Sequence, residues 1–217
     1  MLPIAREYEQ PSRLRTDGSL IGGIHLDSGD VQMVDFSTDP SIYNKNAMNF
    51  LELLHSEPIL IDNKTNQTIL DWFDANGVKW KNKSLKTGDY GLMIEACPDL
   101  GFPSDTYFTD ELCIERKNSV GELAGNFANA TKDDDRIFKE LNRMINIERN
   151  YLLIEDDSIE DIFDGNYKTK LNSESFFRAL LTWQSRNNMH IYFVKRAYMG
   201  KMIYELCKNC LDSKILK

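Results

Sequence analysis

Short apolar runs alternate with amphipathic segments from Pro58 onward, and this alternation constrains the fold more than any other feature. The runs at 59–61, 151–155 and 190–194 have the length and composition of buried strands. Helical spacing of apolar residues separates them, most clearly at 173–186. Strands that alternate with helices predict an α/β fold with a mixed central sheet flanked by helices.

Two of the predicted helices carry more specific signals. Ser119 is expected to cap a helix over 119–127, with Glu122 in the capping-box position three residues later. The helix at 173–186 is amphipathic. Its predicted buried face consists of Phe176, Phe177, Leu180 and Leu181.

The first 57 residues follow a less regular pattern. Residues 23–34 are expected to form a hairpin around Asp27–Asp30, and residues 46–54 have helical spacing. Residues 1–57 contain no recognisable catalytic or binding motif. We therefore expect residues 1–57 to be an extension of unknown role and residues 58–217 to be one domain.

The cysteines and the apolar runs indicate the cellular compartment of the protein. No apolar run approaches the roughly 20 residues that cross a bilayer, and the N-terminus lacks the layout of a signal peptide. Four cysteines in 217 residues do not suggest a disulfide scaffold,. The single Cys207–Cys210 pair lacks a second pair at zinc-ribbon spacing. We expect an intracellular protein, in the cytoplasm of a bacterial host or associated with DNA.

The net charge of −8 is unevenly distributed. Residues 166–217 contain ten Lys or Arg and three Asp or Glu, a balance of +7, so residues 1–165 carry −15. A basic C-terminal quarter can neutralise DNA phosphates, and the acidic remainder contains carboxylates able to hold divalent metal. A solvated surface without function is the alternative interpretation.

The run Cys113–Lys117 carries the strongest chemical signal. On a strand, Glu115 and Lys117 project to the same side, roughly 7 Å apart along the strand. The carboxylate can then bind a metal while the ammonium faces the same phosphate or attacking water. Taken alone, the spacing also fits a surface ion pair. Asp89, one strand earlier, favours the site, because adjacent antiparallel strands can bring it beside Glu115 as a second hard oxygen ligand.

These motifs resemble a known family. Leu85–Tyr90, Ile114–Lys117, the Asp-Arg pair at 135–136 and Leu152–Glu155 look like the nuclease domain of XPF-type structure-specific endonucleases, within the PD-(D/E)xK superfamily. The resemblance runs from about Pro58 to Glu205. Further along, the sequence is similar to compact stand-alone versions from bacteria and phages. The resemblance implies a restriction-endonuclease-like core that hydrolyses branched or junction DNA with Mg²⁺ or Mn²⁺, in DNA repair or recombination.

The resemblance also implies a role for each matching residue. Asp89 and Glu115 would be metal ligands, with Asp110 as a third and Glu111 as the competing choice. Lys117 would position or polarise the attacking water, and Arg116, on the other face of the strand, would order the site or meet DNA. Arg136 would bind a phosphate. The further candidates for DNA contact are Lys168, Lys170, Arg186, Lys195 and Arg196, and a homodimer is implied as well.

The sequence departs from the family in two places. The usual Asp-x-Arg-Glu is Asp62–Thr65 here, where Lys64 keeps the charge and the glutamate is lost. The family's Asp four residues after the lysine is Gly121, and the neighbouring Glu122 is the candidate substitute.

These departures keep two other interpretations open. One is a catalytically weak or inactive DNA-binding scaffold with the same fold. The other is a sequence-specific nuclease of the restriction type, whose target-recognition region would have to come from residues 1–57.

Overall fold

The computed structural model describes most of the chain after residue 56 and two strands before it. The described ranges are 20–25, 31–36, 56–62, 66–97, 102–129 and 136–215. The predicted helix at 46–54 lies outside them. The chain divides into two compact units. The first comprises residues 1–58, 93–107 and 206–217, and the second comprises residues 59–92 and 108–205.

Nine strands and six helices lie within the described ranges. The strands are β1 (Leu20–His25), β2 (Val31–Phe36), β3 (Ile59–Ile61), β4 (Trp80–Asn82), β5 (Tyr90–Ile94), β6 (Thr106–Tyr107), β7 (Leu112–Lys117), β8 (Arg149–Glu155) and β9 (Met189–Val194). The helices are α1 (Gln67–Ala75), α2 (Val120–Ala128), α3 (Arg136–Met144), α4 (Ile159–Phe163), α5 (Ser173–Arg186) and α6 (Arg196–Ile215).

The first unit contains the predicted hairpin. Strands β1 and β2 are antiparallel, with Leu20 opposite Phe36 and His25 opposite Val31, so this prediction is confirmed. In the same unit, β6 pairs with the last two residues of β5. The sequence analysis did not predict β6, because two residues are too short for a periodic signal.

The central sheet of the second unit is mixed, as predicted. Its strand order is β4-β3-β5-β7-β8-β9, and with β6 the sheet has seven strands. Strand β5 runs antiparallel to β7, with Tyr90 opposite Ile114. Strands β7, β8 and β9 are parallel to one another, with Glu115 opposite Leu152. The α/β fold with a mixed sheet flanked by helices is therefore confirmed.

One face of this sheet packs against four helices to form a hydrophobic core. Parallel strands covered on both faces are continuously apolar, and in β8 every residue after Arg149 is buried. The core residues come from β7, β8 and β9 and from helices α2 to α5. Among them are Cys113, Leu152, Ile154, Val120, Leu123, Met144, Ile162, Phe176 and Leu180.

Two helix predictions need correction. In α5, Phe176 and Leu180 are buried, Phe177 is only partly buried, and Leu181 is 46% exposed. The buried face is narrower than predicted, because it contains the i, i+4 pair Phe176 and Leu180 but not the adjacent residues Phe177 and Leu181. The final helix, predicted at 201–210, extends over Arg196–Ile215. Within the described ranges, no helix has the length and apolar character needed to span a membrane.

Candidate active site

A left-handed turn at Gly88 places Asp89 at the start of β5. Gly88 has φ +79°, and a Cβ there would lie 2.6 Å from Sγ of Cys113. Only glycine combines this conformation with so close an approach. The backbone N–H of Asp89 then donates to the carbonyl of Ile114 at 2.8 Å. Asp89 therefore stands beside the middle of β7.

Strand β7 presents Glu115 and Lys117 on the same side, as its alternation predicted. Both side chains are buried, with residue exposures of 5% and 6%. Nζ of Lys117 donates to Oε1 of Glu115 at 2.5 Å. The structure thus brings Asp89, Glu115 and Lys117 together on two adjacent strands.

The three groups perturb one another's pKa values. Burial raises the pKa of Glu115 well above its ordinary value, and the negative charge of Asp89 raises it further. Burial also raises the pKa of Asp89, although the hydrogen bond from Arg116 partly offsets the effect. Burial lowers the pKa of Lys117, but the carboxylates Glu115 and Glu140 outweigh it, so the net shift is upward. Lys117 is therefore a persistent cation in an otherwise acidic site.

Glu140 is a carboxylate near the site that sequence reasoning missed. It lies half-buried on α3, and its charge raises the pKa values of Asp89, Glu115 and Lys117. Its signal in the sequence was weak, because one glutamate on a charged amphipathic helix resembles any solvated residue.

Arg116 points away from the acidic pair and anchors the strand. Its guanidinium forms hydrogen bonds with the fully buried carboxylate of Glu155 and, at 2.7 Å, with Oδ1 of Asn118. Arg196 binds the other oxygen of Glu155. Glu155, the second residue missed by sequence reasoning, ends the apolar run of β8, and a charge at that point was the available signal. Arg196, a predicted DNA contact, is thus engaged within the protein.

The loop between β7 and α2 forms its own hydrogen bonds. Ser119 caps α2 by accepting from the backbone N–H of Glu122 at 3.0 Å, as predicted. The Glu122 carboxylate does not complete the capping box. It accepts from the backbone and side-chain N–H groups of Asn118 at 2.8 and 2.9 Å. Glu122 therefore orients Asn118, the residue after Lys117, and its substitution for the family's Asp stays a prediction.

Asp110 is not brought to the acidic pair. It lies exposed in the turn before β7, five residues and roughly 16 Å along the chain from Glu115,. It lines an open pocket of about 880 Å³ with Lys86, Lys139 and Arg143. In the described part of the chain, Asp110 does not form a group of three metal-holding carboxylates with Asp89 and Glu115, and its role as a third ligand stays a prediction. Its rival Glu111 is half-buried in the same turn.

The remaining predicted DNA contacts lie on the surface. Lys168 and Lys170 are exposed between α4 and α5, and Arg186 is exposed at the end of α5. Lys195 donates from Nζ to the carbonyl of Asp156 at 3.5 Å. Arg136 begins α3, and its side chain lies outside the described part of the structure, as does Lys64.

The donor chemistry of the acidic pair fits a magnesium-type ion. Asp89 and Glu115 supply hard carboxylate oxygens, which Mg²⁺ and Mn²⁺ prefer. In the described part of the chain, no group of three or more His, Cys, Asp or Glu could hold a metal. Magnesium is commonly bound through one or two carboxylates, with water and substrate phosphate filling its other positions. Two carboxylates on adjacent strands suit that kind of site.

Comparisons with known proteins agree with this fold. The fold resembles two solved structures, "XPF from Aeropyrum pernix" and "XPF from Aeropyrum pernix, complex with DNA". Both are 16% identical in sequence, with TM-scores of 0.51 and 0.50. The matches cover 71% and 72% of this chain but only 65% and 66% of those chains. A search of curated proteins found no match.

The fold and the family comparison identify an XPF-type nuclease domain. The family described as "ERCC4 domain" matches residues 61–206, which is more than half of the chain. The protein therefore belongs to the ERCC4 domain family, and the predicted resemblance to XPF-type nucleases is confirmed.

Proposed function

We propose that this protein is a metal-dependent DNA endonuclease that hydrolyses phosphodiester bonds with water as nucleophile. The observation that carries the proposal is the cluster of half-buried Asp89 with buried Glu115 and Lys117. Two carboxylates and one ammonium converge at β5 and β7, where desolvation disfavours the charged form of each group,. Perturbed ionisable groups of this kind are typical of functional sites.

Asp89 and Glu115 would hold one or two Mg²⁺ or Mn²⁺ ions. Such an ion lowers the pKa of bound water and neutralises charge on the phosphate. The backbone N–H of Arg116 fixes the orientation of the Asp89 carboxylate through a 2.8 Å hydrogen bond. Burial around Glu115 excludes bulk water and so strengthens every charge interaction in the site.

Lys117 supplies a fixed positive charge. Its pKa lies above the ordinary lysine value, so it does not accept a proton from water at neutral pH. Its contribution is electrostatic stabilisation of the negative transition state and orientation of the attacking water. Arg116 is a positioning residue, because its guanidinium is occupied by Glu155 and Asn118.

The proposed substrate is branched or junction DNA, such as flaps and forks, with products carrying a 5′ phosphate and a 3′ hydroxyl. Support comes from the ERCC4 family membership and from the fold-level likeness to an XPF structure described as a complex with DNA. A homodimer and a role in DNA repair or recombination belong to the same proposal.

The test is cleavage of a labelled panel comprising single strand, duplex, flap, fork and four-way junction, with Mg²⁺, Mn²⁺ or chelator. Glu115→Gln and Lys117→Met each remove one charge at nearly constant size, and Lys79→Met is the matched surface control. We expect metal-dependent cutting by the wild type and the control, and losses of roughly 10²-fold or more in both site variants. Binding without cutting, across every metal and substrate, would reject the enzyme in favour of an inactive scaffold.

A further inference from the structure

The open pocket that contains Asp110 adjoins the candidate active site through two separate elements. Its volume is about 880 Å³. Most of its polar lining comes from the turn before β5, from the turn before β7 and from α3. These residues include Lys86, Thr87, Asp110, Lys139, Asn142 and Arg143.

Helix α3 lines the pocket with one face and carries Glu140, which acts on the site, on another face. Lys139, Asn142 and Arg143 of α3 line the pocket, and Asn146 lines it from the turn after the helix. Asn142 and Arg143 follow Lys139 by three and four residues, which places all three on one side of α3. Glu140, between them in sequence, acts electrostatically on the acidic pair. A single helix therefore connects the two features.

Chain connectivity limits the distance between the pocket and the site. Thr87 is two residues from Asp89, at most roughly 7 Å away. Asp110 is five residues from Glu115, at most roughly 17 Å away. With a rise of about 3.4 Å per nucleotide on each strand, these limits correspond to about two and five nucleotides.

We infer that the pocket binds the sugar-phosphate backbone of the DNA strand being cut, within about five nucleotides of the scissile phosphate. This inference rests on the proposed nuclease function. Lys86, Lys139 and Arg143 provide three cations, and Asp110 is the one carboxylate among the described lining residues. The surplus positive charge attracts phosphate, and amide and hydroxyl groups of the kind found here are common donors to phosphate oxygens.

The open shape favours a continuous strand over a small anion. An enclosed pocket with convergent donors would suit a free ligand, whereas this one is wide and its cations, Lys86, Lys139 and Arg143, are long exposed side chains. Asp110 has a distinct part in the inference. Placed among the cations, it weakens their hold on phosphate, so its removal is expected to tighten binding.

The test measures equilibrium binding of a fluorescently labelled DNA fork in chelator, where no cleavage occurs, over a series of salt concentrations. The variant is Lys139→Gln/Arg143→Gln. The matched control, Arg178→Gln/Lys201→Gln, also removes one lysine and one arginine from exposed helical positions outside the pocket. Each phosphate contact adds about 0.7–0.9 to the slope of log K against log salt.

We expect the pocket variant to lose about 1.4–1.8 in slope and roughly 10- to 100-fold in affinity near 0.1 M salt. The control should match the wild type. Asp110→Asn should act in the opposite direction, with tighter binding in chelator. If Asp110 is instead a metal ligand, binding in chelator will be unchanged and metal-dependent cleavage will fall, which overturns its assignment to the pocket.

The outcomes separate this inference from the proposed function. Wild-type cutting with an unchanged salt slope in the pocket variant would overturn the inference and leave the nuclease intact. A wild type that neither binds nor cuts DNA would overturn both. A reduced slope in the pocket variant, an unaltered control and tighter binding by Asp110→Asn would together support the inference.

Discussion

The backbone N–H of Arg116 donates a 2.8 Å hydrogen bond to Oδ2 of Asp89, while its side chain binds the buried carboxylate of Glu155 on the neighbouring strand. One residue thus joins the acidic site to the centre of the sheet. Glu115 and Lys117 flank Arg116 on β7. The ion pair between Arg116 and Glu155 on one face of the sheet therefore fixes the positions of the site residues on the other face.

Glu155→Ala is expected to destabilise the protein strongly. The substitution leaves Arg116, whose side chain is 8% exposed, without its anionic partner. Breaking a buried pair by removing one partner typically costs about 3–5 kcal/mol. Glu174→Ala is the matched control, since it breaks the exposed pair with Arg178 and should cost about 1 kcal/mol or less. The measurement is urea unfolding, and equal losses in the two variants would contradict the role given to Glu155.

Strand alternation was sufficient to predict part of the site. Glu115 and Lys117 share a face because side chains on a strand alternate, and that rule needs no knowledge of the rest of the fold. Asp89 required one further assumption, the antiparallel pairing of β5 with β7, which the Tyr90–Ile114 register bears out.

What sequence reasoning missed depends on packing between distant elements. The charge of Glu140 acts on Glu115 because α3 packs against the same core as β7, and Glu155 meets Arg116 only through the parallel register of β7 and β8. Leu181 was predicted to be buried because it is apolar, but it is exposed. Its exposure depends on the rotation of α5 about its own axis against the sheet.

Gly88→Ala should be far more damaging than the same change at Gly165. Both glycines have positive φ, +79° and +69°, but a Cβ at Gly88 would meet Sγ of Cys113 at 2.6 Å, whereas none would meet an atom within 4 Å at Gly165. The shared backbone strain costs about 1–2 kcal/mol, and overpacking adds about 1–3 kcal/mol at Gly88 alone. Denaturant unfolding measures the difference, and cleavage should fall only in Gly88→Ala because Asp89 is displaced.

Asn150 is expected to be indispensable for joining α3, β8 and α5. Its buried Nδ2 donates to the carbonyl oxygens of Met144, Ile147 and Asn187 at 2.9, 3.0 and 2.9 Å. Asn150→Asp replaces this donor with an oxygen that faces the same carbonyls, so it should cost more stability than Asn150→Leu, which repels none of them. Thermal unfolding at neutral pH compares the two, and a more stable Asn150→Asp would refute the donor role.

Substitutions of Glu115 and Lys117 should both abolish cleavage, but only the substitution of Glu115 should weaken metal binding. A divalent ion that binds only the folded protein raises stability by about 2.7 kcal/mol at a hundred times its Kd. Mg²⁺ or Mn²⁺ should therefore raise the Tm of the wild type, and a chelator should reverse this rise. Glu115→Gln removes a ligand and should lose both the Tm shift and cleavage. Lys117→Met removes only a cation that repels metal, so it should keep or enlarge the shift while losing cleavage. Loss of the metal shift in Lys117→Met, with the fold intact, would place the lysine in metal binding instead of transition-state stabilisation.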